Sequence, residues 1–177
     1  MPKICIVIPT KNESPSIGVV LKEIQRELEE LGCDDPVFIV VDDSQDETRR
    51  IAENFGAVVV RGDGDGLGSA MFKGLKTACQ FNPNVILSID GDGQADTAEI
   101  GRFLAPIEKD EADLVLGSRF LDRDLVKYKY RFRNRLGTIV LSRILRAQTG
   151  LQLTDSHGGI RAMRLEVAAD LDMLGTH

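Results

Sequence analysis

Short runs rich in Val and Ile alternate with longer amphipathic stretches over the first two thirds of the chain, and this alternation constrains the fold more than any other feature. Ile4 to Pro9, Pro36 to Val41 and Val85 to Ile89 are the clear runs; Ala57 to Val60 and Asp113 to Leu116 are weaker members of the set. Short β-branched runs of this kind are the pattern of strands covered on both faces. Between them Ser16 to Leu31, Asp46 to Phe55, Gly68 to Phe81 and Thr97 to Glu108 read as helices. In the first, Ile17, Val20, Leu21, Ile24, Leu28 and Leu31 recur at helical spacing with charges on the other face. Strands and helices in this order predict an α/β domain, a mainly parallel sheet between two layers of helix. From Phe120 the pattern changes. Asp122 to Tyr130 reads as an exposed loop, Arg131 to Leu145 as a helix, and the sequence offers no convincing element at its end. The expectation is one domain over 1–177, cut short at its C-terminus, with a ligand-binding half at 1–117 and an acceptor-side half at 118–177.

Ligands of open parallel sheets bind beyond the carboxyl ends of the strands. Here those ends carry the most polar sequences of the chain: Thr10-Lys11-Asn12-Glu13, Asp42-Asp43-Ser44-Gln45-Asp46 and Asp90-Gly91-Asp92-Gly93-Gln94. So many carboxylates on one edge repel one another unless a cation or a hydroxyl-rich ligand binds there. Asp90 and Asp92 face one point if Gly91 lets the backbone turn, and hard oxygen ligands of this type suit Mg²⁺ or Mn²⁺ together with phosphate oxygens and water. The alternative is an acidic turn in which Asp92 caps the next helix. Asp42 and Asp43 divide similarly between a helix-start turn and acceptors for ribose hydroxyls or a base N–H, and Glu13 is equally at home in a first helical turn. Gly62, Gly64, Gly66 and Gly68 make either a phosphate-approaching loop or a flexible turn; their spacing matches neither a P-loop nor a dinucleotide fingerprint.

Charge narrows the partners. The net charge is −6, which argues against a nucleic-acid binder. Yet nine basic and two acidic residues fall between Arg119 and Arg146, a local +7 that leaves −13 on the rest. Such a patch suits phosphate or a lipid headgroup, although a solvated helix face is the common alternative. Cys5, Cys33 and Cys79, odd in number and far apart, read as reduced thiols of a cytoplasmic protein. No apolar run approaches the roughly 20 residues of a membrane span.

Six segments in order, Ile8-Pro9-Thr10-Lys11-Asn12-Glu13, Val41-Asp42-Asp43-Ser44-Gln45-Asp46-Glu47-Thr48, Gly66-Leu67-Gly68-Ser69-Ala70, Asp90-Gly91-Asp92-Gly93-Gln94, Gly117-Ser118-Arg119 and Gly158-Gly159-Ile160-Arg161-Ala162, resemble the family 2 glycosyltransferases. Within that family they look most like the dolichyl- and polyprenyl-phosphate sugar transferases. The resemblance implies a three-layer GT-A fold and an inverting transfer of a sugar from a UDP- or GDP-linked donor to a lipid phosphate. It assigns Pro9, Lys11, Glu13, Val41 and Asp43 to the nucleoside; Asp90, Asp92 and Gln94 to Mg²⁺ or Mn²⁺; and Gly91 to the diphosphate. Arg119 and Arg131 are implied to face the diphosphate and the acceptor phosphate, acting with Asp92 in catalysis. Lys11 stands where the family commonly has tyrosine, and Asp155-Ser156-His157-Gly158-Gly159-Ile160-Arg161 replaces Asp-x-x-Ser-Gly-Phe-Arg. Asp155 is a candidate base for a hydroxyl acceptor or a turn residue. The family setting implies a cytoplasmic location, with peripheral contact at a membrane's cytoplasmic face through 119–146. Two other readings compete: a catalytically impaired nucleotide-sugar-binding module, and a sugar-phosphate nucleotidyltransferase. The latter normally carries a glycine-rich basic loop after its first strand, which Pro9-Thr10-Lys11-Asn12-Glu13 is not.

Overall fold

A computed structural model describes residues 3–118, 155 and 158–174, the last three as backbone. Arg119, Arg131, the expected loop 122–130 and the expected helix 131–145 lie outside the described residues. In chain order the elements are β1 (Ile4–Thr10), α1 (Ile17–Glu30), β2 (Val37–Asp42), α2 (Thr48–Phe55), β3 (Val58–Arg61), α3 (Leu67–Cys79) and β4 (Val85–Ile89). A 3-10 turn (Thr97–Glu99) then runs into α4 (Ile100–Glu108), followed by β5 (Leu114–Leu116), β6 (Ile160–Arg164) and α5 (Leu165–Leu174). The chain divides into two compact units, one made of Met1–Val115 with Ile160–His177, the other of Leu116–Gly159.

The strands form one sheet in the order β3-β2-β1-β4-β6-β5. β1 pairs in parallel with β2 and β4, β2 pairs in parallel with β3, and β4 pairs antiparallel with β6. The strand order therefore reverses beside β1, so β2 and β4 flank it and their carboxyl ends open a crevice of the kind that binds ligands in α/β sheets.

Alternation along the strands fills two cores. Ile4, Ile6 and Ile8 of β1 pack with α1 and α4 through Ile17, Leu21, Ile24, Ile100 and Leu104 on one face. Cys5 and Val7 pack with α3 and α5 through Ala70, Leu75, Ala78 and Ala168 on the other. All seven β1 residues are buried, as expected of a strand covered on both sides. α3 lies directly on β1: a Cβ on Gly74 would stand 2.3 Å from Val7 Cγ1.

Two expectations need correction. Leu31 does not belong to the buried stripe of α1; it caps the helix C-terminus, is 40% exposed, and lies against Gly101 of α4. The chain also has terminal elements that its pattern concealed, β6 and α5. β6 reads Ile-Arg-Ala-Met-Arg, with two arginines three residues apart and no strict alternation, and α5 lacks the strong amphipathic stripe of α1.

Candidate active site

The loops after β1 and β2 are sewn together before any ligand arrives. Asn12 sits at φ 59, a left-handed conformation that asparagine tolerates. There its backbone N–H donates to Ser44 Oγ (2.7 Å) and its Oδ1 accepts from the Gln45 N–H (2.9 Å). The Glu13 N–H donates to Thr48 Oγ1 (2.9 Å) and the Ser14 N–H to Asp46 Oδ2 (3.2 Å). Asp46 Oδ1 accepts from the Thr48 N–H (3.0 Å) and from its hydroxyl, which with the Ser14 bond holds the Asp46 carboxyl down at about 2. Asp46 thus holds the turn that leads into α2, as the helix-entry alternative expects, and the Asp43 carboxylate takes no part in it.

Asp42 and Asp43 have separate surroundings. Asp42 is 3% exposed; its Oδ1 accepts from Thr10 Oγ1 (3.0 Å) and the Ser44 N–H (3.3 Å), and Arg49 Nε lies 3.7 Å from Oδ2. Asp43 is half-buried, with Oδ1 accepting from the Gly64 N–H (3.0 Å). Its carboxylate lies flat on Gly62, where an added Cβ would meet Oδ1 at 2.3 Å. An open pocket of about 410 Å³ forms around it, lined by Asp42, Asp43, Ser44, Gln45, Arg49 and the Arg61–Gly64 segment. The glycine-rich loop is therefore a positioning device for Asp43, and the Lys73–Asp63 ion pair (2.6 Å) ties it to α3. Pro9 and Val41, paired across β1 and β2, are both buried. The Val41 side chain is in the α3-side core, so the residue can offer a ligand only its main chain. Lys11 is exposed and Glu13 half-buried.

At the end of β4, Asp90 and Asp92 are half-buried and Gly91 between them is buried. Gly91 and Asp92 form the turn that follows β4, and a Cβ on Gly91 would meet Thr10 Cγ2 at 2.8 Å and Ile8 Cγ2 at 3.3 Å. The left-handed conformation comes at Gly93, with φ 75. Asp92 Oδ1 accepts from the Gln94 N–H (2.9 Å), while the capping of the following helical turn falls to Asp96, whose Oδ1 accepts from the Ala98 N–H (3.3 Å). Asp92 is thus not a helix cap. Ser16 Oγ donates to Gly91 O (2.9 Å), with Glu13 Oε2 3.3 Å away, so α1 fixes the β4 loop relative to the β1 loop. Gln94 is exposed. Among the described residues, no three His, Cys, Asp or Glu side chains assemble a ready-made metal cage.

Sequence reasoning missed the scaffold of hydroxyls and amides: Thr10, Asn12, Ser16, Ser44 and Thr48. Their signal was polar residues packed immediately after buried strands, but their partners are some 30 or more residues away. In the other unit, Asp155 is 3% exposed, and Gly158 packs so tightly that a Cβ would stand 2.0 Å from Gly117 O. That contact explains the glycine at position 158.

Comparison with known proteins places this geometry. An uncharacterized protein of Methanocaldococcus jannaschii is 32% identical over 94% of this chain and 66% of its own length. A UDP-N-acetylglucosamine–dolichyl-phosphate N-acetylglucosaminyltransferase of Methanococcus voltae is 28% identical over 90% of this chain and 68% of that protein. An undecaprenyl-phosphate mannosyltransferase of Micrococcus luteus is 29% identical over 97% and 71%. Among solved structures, mannosyl-3-phosphoglycerate synthase from Rubrobacter xylanophilus superposes with a TM-score of 0.72 at 22% identity, covering 94% of this chain and 54% of that one. Glucosyl-3-phosphoglycerate synthase from Mycobacterium tuberculosis, in complex with Mn²⁺, UDP and glucosyl-3-phosphoglycerate, gives 0.68 at 22% identity over 94% and 58%. The chain thus spans just under two thirds of the archaeal relative and little more than half of the solved structures, and its fold is theirs. The sequence profile of Glycosyl transferase family 2 matches residues 5–172, and with the sheet and strand-end carboxylates just described, the chain belongs to that family.

Proposed function

We propose that this chain transfers a hexosyl group from a nucleoside diphosphate sugar to a lipid monophosphate, with inversion at the sugar carbon. One observation carries the reading: Asp43, Asp90 and Asp92 stand at the carboxyl ends of the strands flanking β1, while helix starting there is done by Asp46 and Asp96. Asp43, held by Gly64 in its open pocket, is the acceptor for a base N–H or ribose hydroxyl. Pro9, Lys11, Glu13 and the Val41 main chain complete the nucleoside side.

A divalent ion fits the residues at the end of β4. Two carboxylates with hard oxygens, one already oriented by the Gln94 N–H, leave coordination positions for diphosphate oxygens and water, the usual habit of Mg²⁺ and Mn²⁺. Asp90 and Asp92 would hold it, with Gln94 beside them. When bound, the ion neutralises the charge that develops on the departing diphosphate. Arg119 adds a fixed donor to that charge, and Arg131, with the basic 119–146 segment, receives the acceptor phosphate and any anionic membrane surface. A phosphate monoester with a second pKa of about 6 arrives ionised at neutral pH, so the acceptor needs no general base. Two relatives are named for transfer to dolichyl and undecaprenyl phosphate, which supports a lipid acceptor. One structural neighbour was solved with Mn²⁺ and UDP, which supports the donor chemistry.

The test is thermal shift with UDP- and GDP-sugars, with and without Mn²⁺, followed by transfer to a polyprenyl monophosphate. Manganese-dependent stabilisation and product formation are expected, with the rate falling below about pH 6 as the acceptor protonates. Binding without transfer would reduce the chain to a nucleotide-sugar-binding module. Absence of any metal-assisted nucleotide binding would sink the reading.

A further inference from the structure

β6 carries two arginines with contrasting surroundings. Arg164 is fully engaged: its guanidinium meets Ile107 O at 2.9 Å, pairs with Asp110, and lies 3.1 Å from Asp113. Arg161 is half-buried at the other end of the strand, and among the described residues no hydrogen bond or ion pair takes up its guanidinium. A partly desolvated arginine without an acceptor is costly, and charge-assisted bonds to a carboxylate or phosphate are its normal remedy.

Its register sets it beside other polar groups. Arg161 lies directly opposite Ser88 in the antiparallel β4–β6 pair, so both side chains leave the same face of the sheet. That is the face of Ile86 and Met163, whereas Leu87, Ile89, Ile160 and Ala162 belong to the opposite core. Ser88 is fully buried, and among the described residues its Oγ has no hydrogen-bond partner. The alternation persists past the strand end, because a Cβ on Gly91 would point at Ile8 and Ile17, in the same core as Ile89. Asp90 therefore shares the face of Ser88 and Arg161. Two strand residues span about 7 Å, within the reach of an extended arginine. A guanidinium beside a carboxylate that holds a divalent ion would repel the ion. The two positive charges are compatible when an anion lies between them.

We propose that Arg161 binds a phosphate oxyanion at the end of β4, next to Asp90, as a positioning residue in addition to Arg119 and Arg131. This rests on the transferase reading above. The diphosphate of the donor and the monophosphate of the acceptor share the required chemistry, and the two arms of the test tell them apart. Arg161→Met and Arg161→Lys are compared with the unmodified chain by calorimetry against UDP and GDP and against the corresponding nucleosides, all with Mn²⁺. The KM for a short polyprenyl monophosphate is measured in parallel.

Arg161→Met is expected to weaken nucleoside diphosphate binding about ten- to a hundredfold, the loss of one charge-assisted contact. Nucleoside binding stays unchanged, the melting temperature does not fall, and Arg161→Lys recovers part of the loss. A rise confined to the acceptor KM assigns the oxyanion to the acceptor. If Arg161→Met matches the unmodified chain in both arms, or loses nucleoside and diphosphate equally along with melting temperature, the proposal is overturned. If the unmodified chain itself binds no nucleoside diphosphate, the transferase reading fails first and this inference goes with it.

Discussion

At the end of β2, Asp42 is 3% exposed and holds Thr10 and Arg49, whereas its neighbour Asp43 opens onto the pocket beside Gly64. Asp42→Ala should therefore lower stability by about 1–3 kcal/mol in denaturant melts, because it removes the buried acceptor shared by the Thr10 hydroxyl and the Ser44 N–H. Asp43→Asn should melt like the unmodified chain yet lose at least tenfold in nucleotide affinity, the loss of a charged acceptor. Gly62→Ala should imitate Asp43→Asn, since its methyl must displace the Asp43 carboxylate. A Gly62→Ala variant with full affinity would show that Asp43 does not read the nucleoside. The acidic strand ends were legible in the sequence because polar residues after buried strands have nothing structural to do in the core. Which aspartate faces inward was not legible, since it depends on where the pleat stops and the turn begins. Gly91 illustrates the same limit: the spacing suggested the turn, but not the close approach of Thr10 and Ile8 that leaves no room for a side chain there.

Most elements could be read from the sequence. Runs such as Ile4–Thr10 carry their own evidence, because burial on both faces demands apolar residues throughout. β6 does not, since two of its five residues are arginines, and nothing local marks it as a partner for β4. The link between the β1 and β2 loops was also invisible, because it joins Asn12 and Glu13 to residues more than thirty positions away. That link has a measurable consequence. The Asn12, Glu13 and Gln45 amides should exchange with deuterium slowly for loop positions, and Asn12→Ala, which removes the Oδ1 acceptor and strains the left-handed backbone, should speed exchange at Gln45 by tenfold or more. Rapid exchange in the unmodified chain would show that the platform forms only with ligand.

At the scale of the whole molecule, two of the described groups make stability depend on pH in opposite directions. Burial pushes the Cys5 thiol up to about 11, so the folded form keeps it neutral while the unfolded chain ionises near 9; stability is intact below pH 9 and declines as pH rises toward 11. The Asp46 carboxyl, lowered from 3.8 to about 2 by Thr48 and Ser14, acts oppositely: its contribution is present above pH 4 and is lost as pH falls through 2. Urea midpoints against pH should show both flanks, and Cys5→Ala should flatten the alkaline one. The sheet order has one further consequence, for synthesis. β4 forms a central strand from residues 85–89, but its outer edge stays bare until residues 160–164 leave the ribosome. For the interval in which about seventy residues are being added, the nascent chain displays an unzipped row of amide and carbonyl groups. Any mutation that slows or frays the arrival of that last strand threatens the yield of soluble protein before it touches the chemistry.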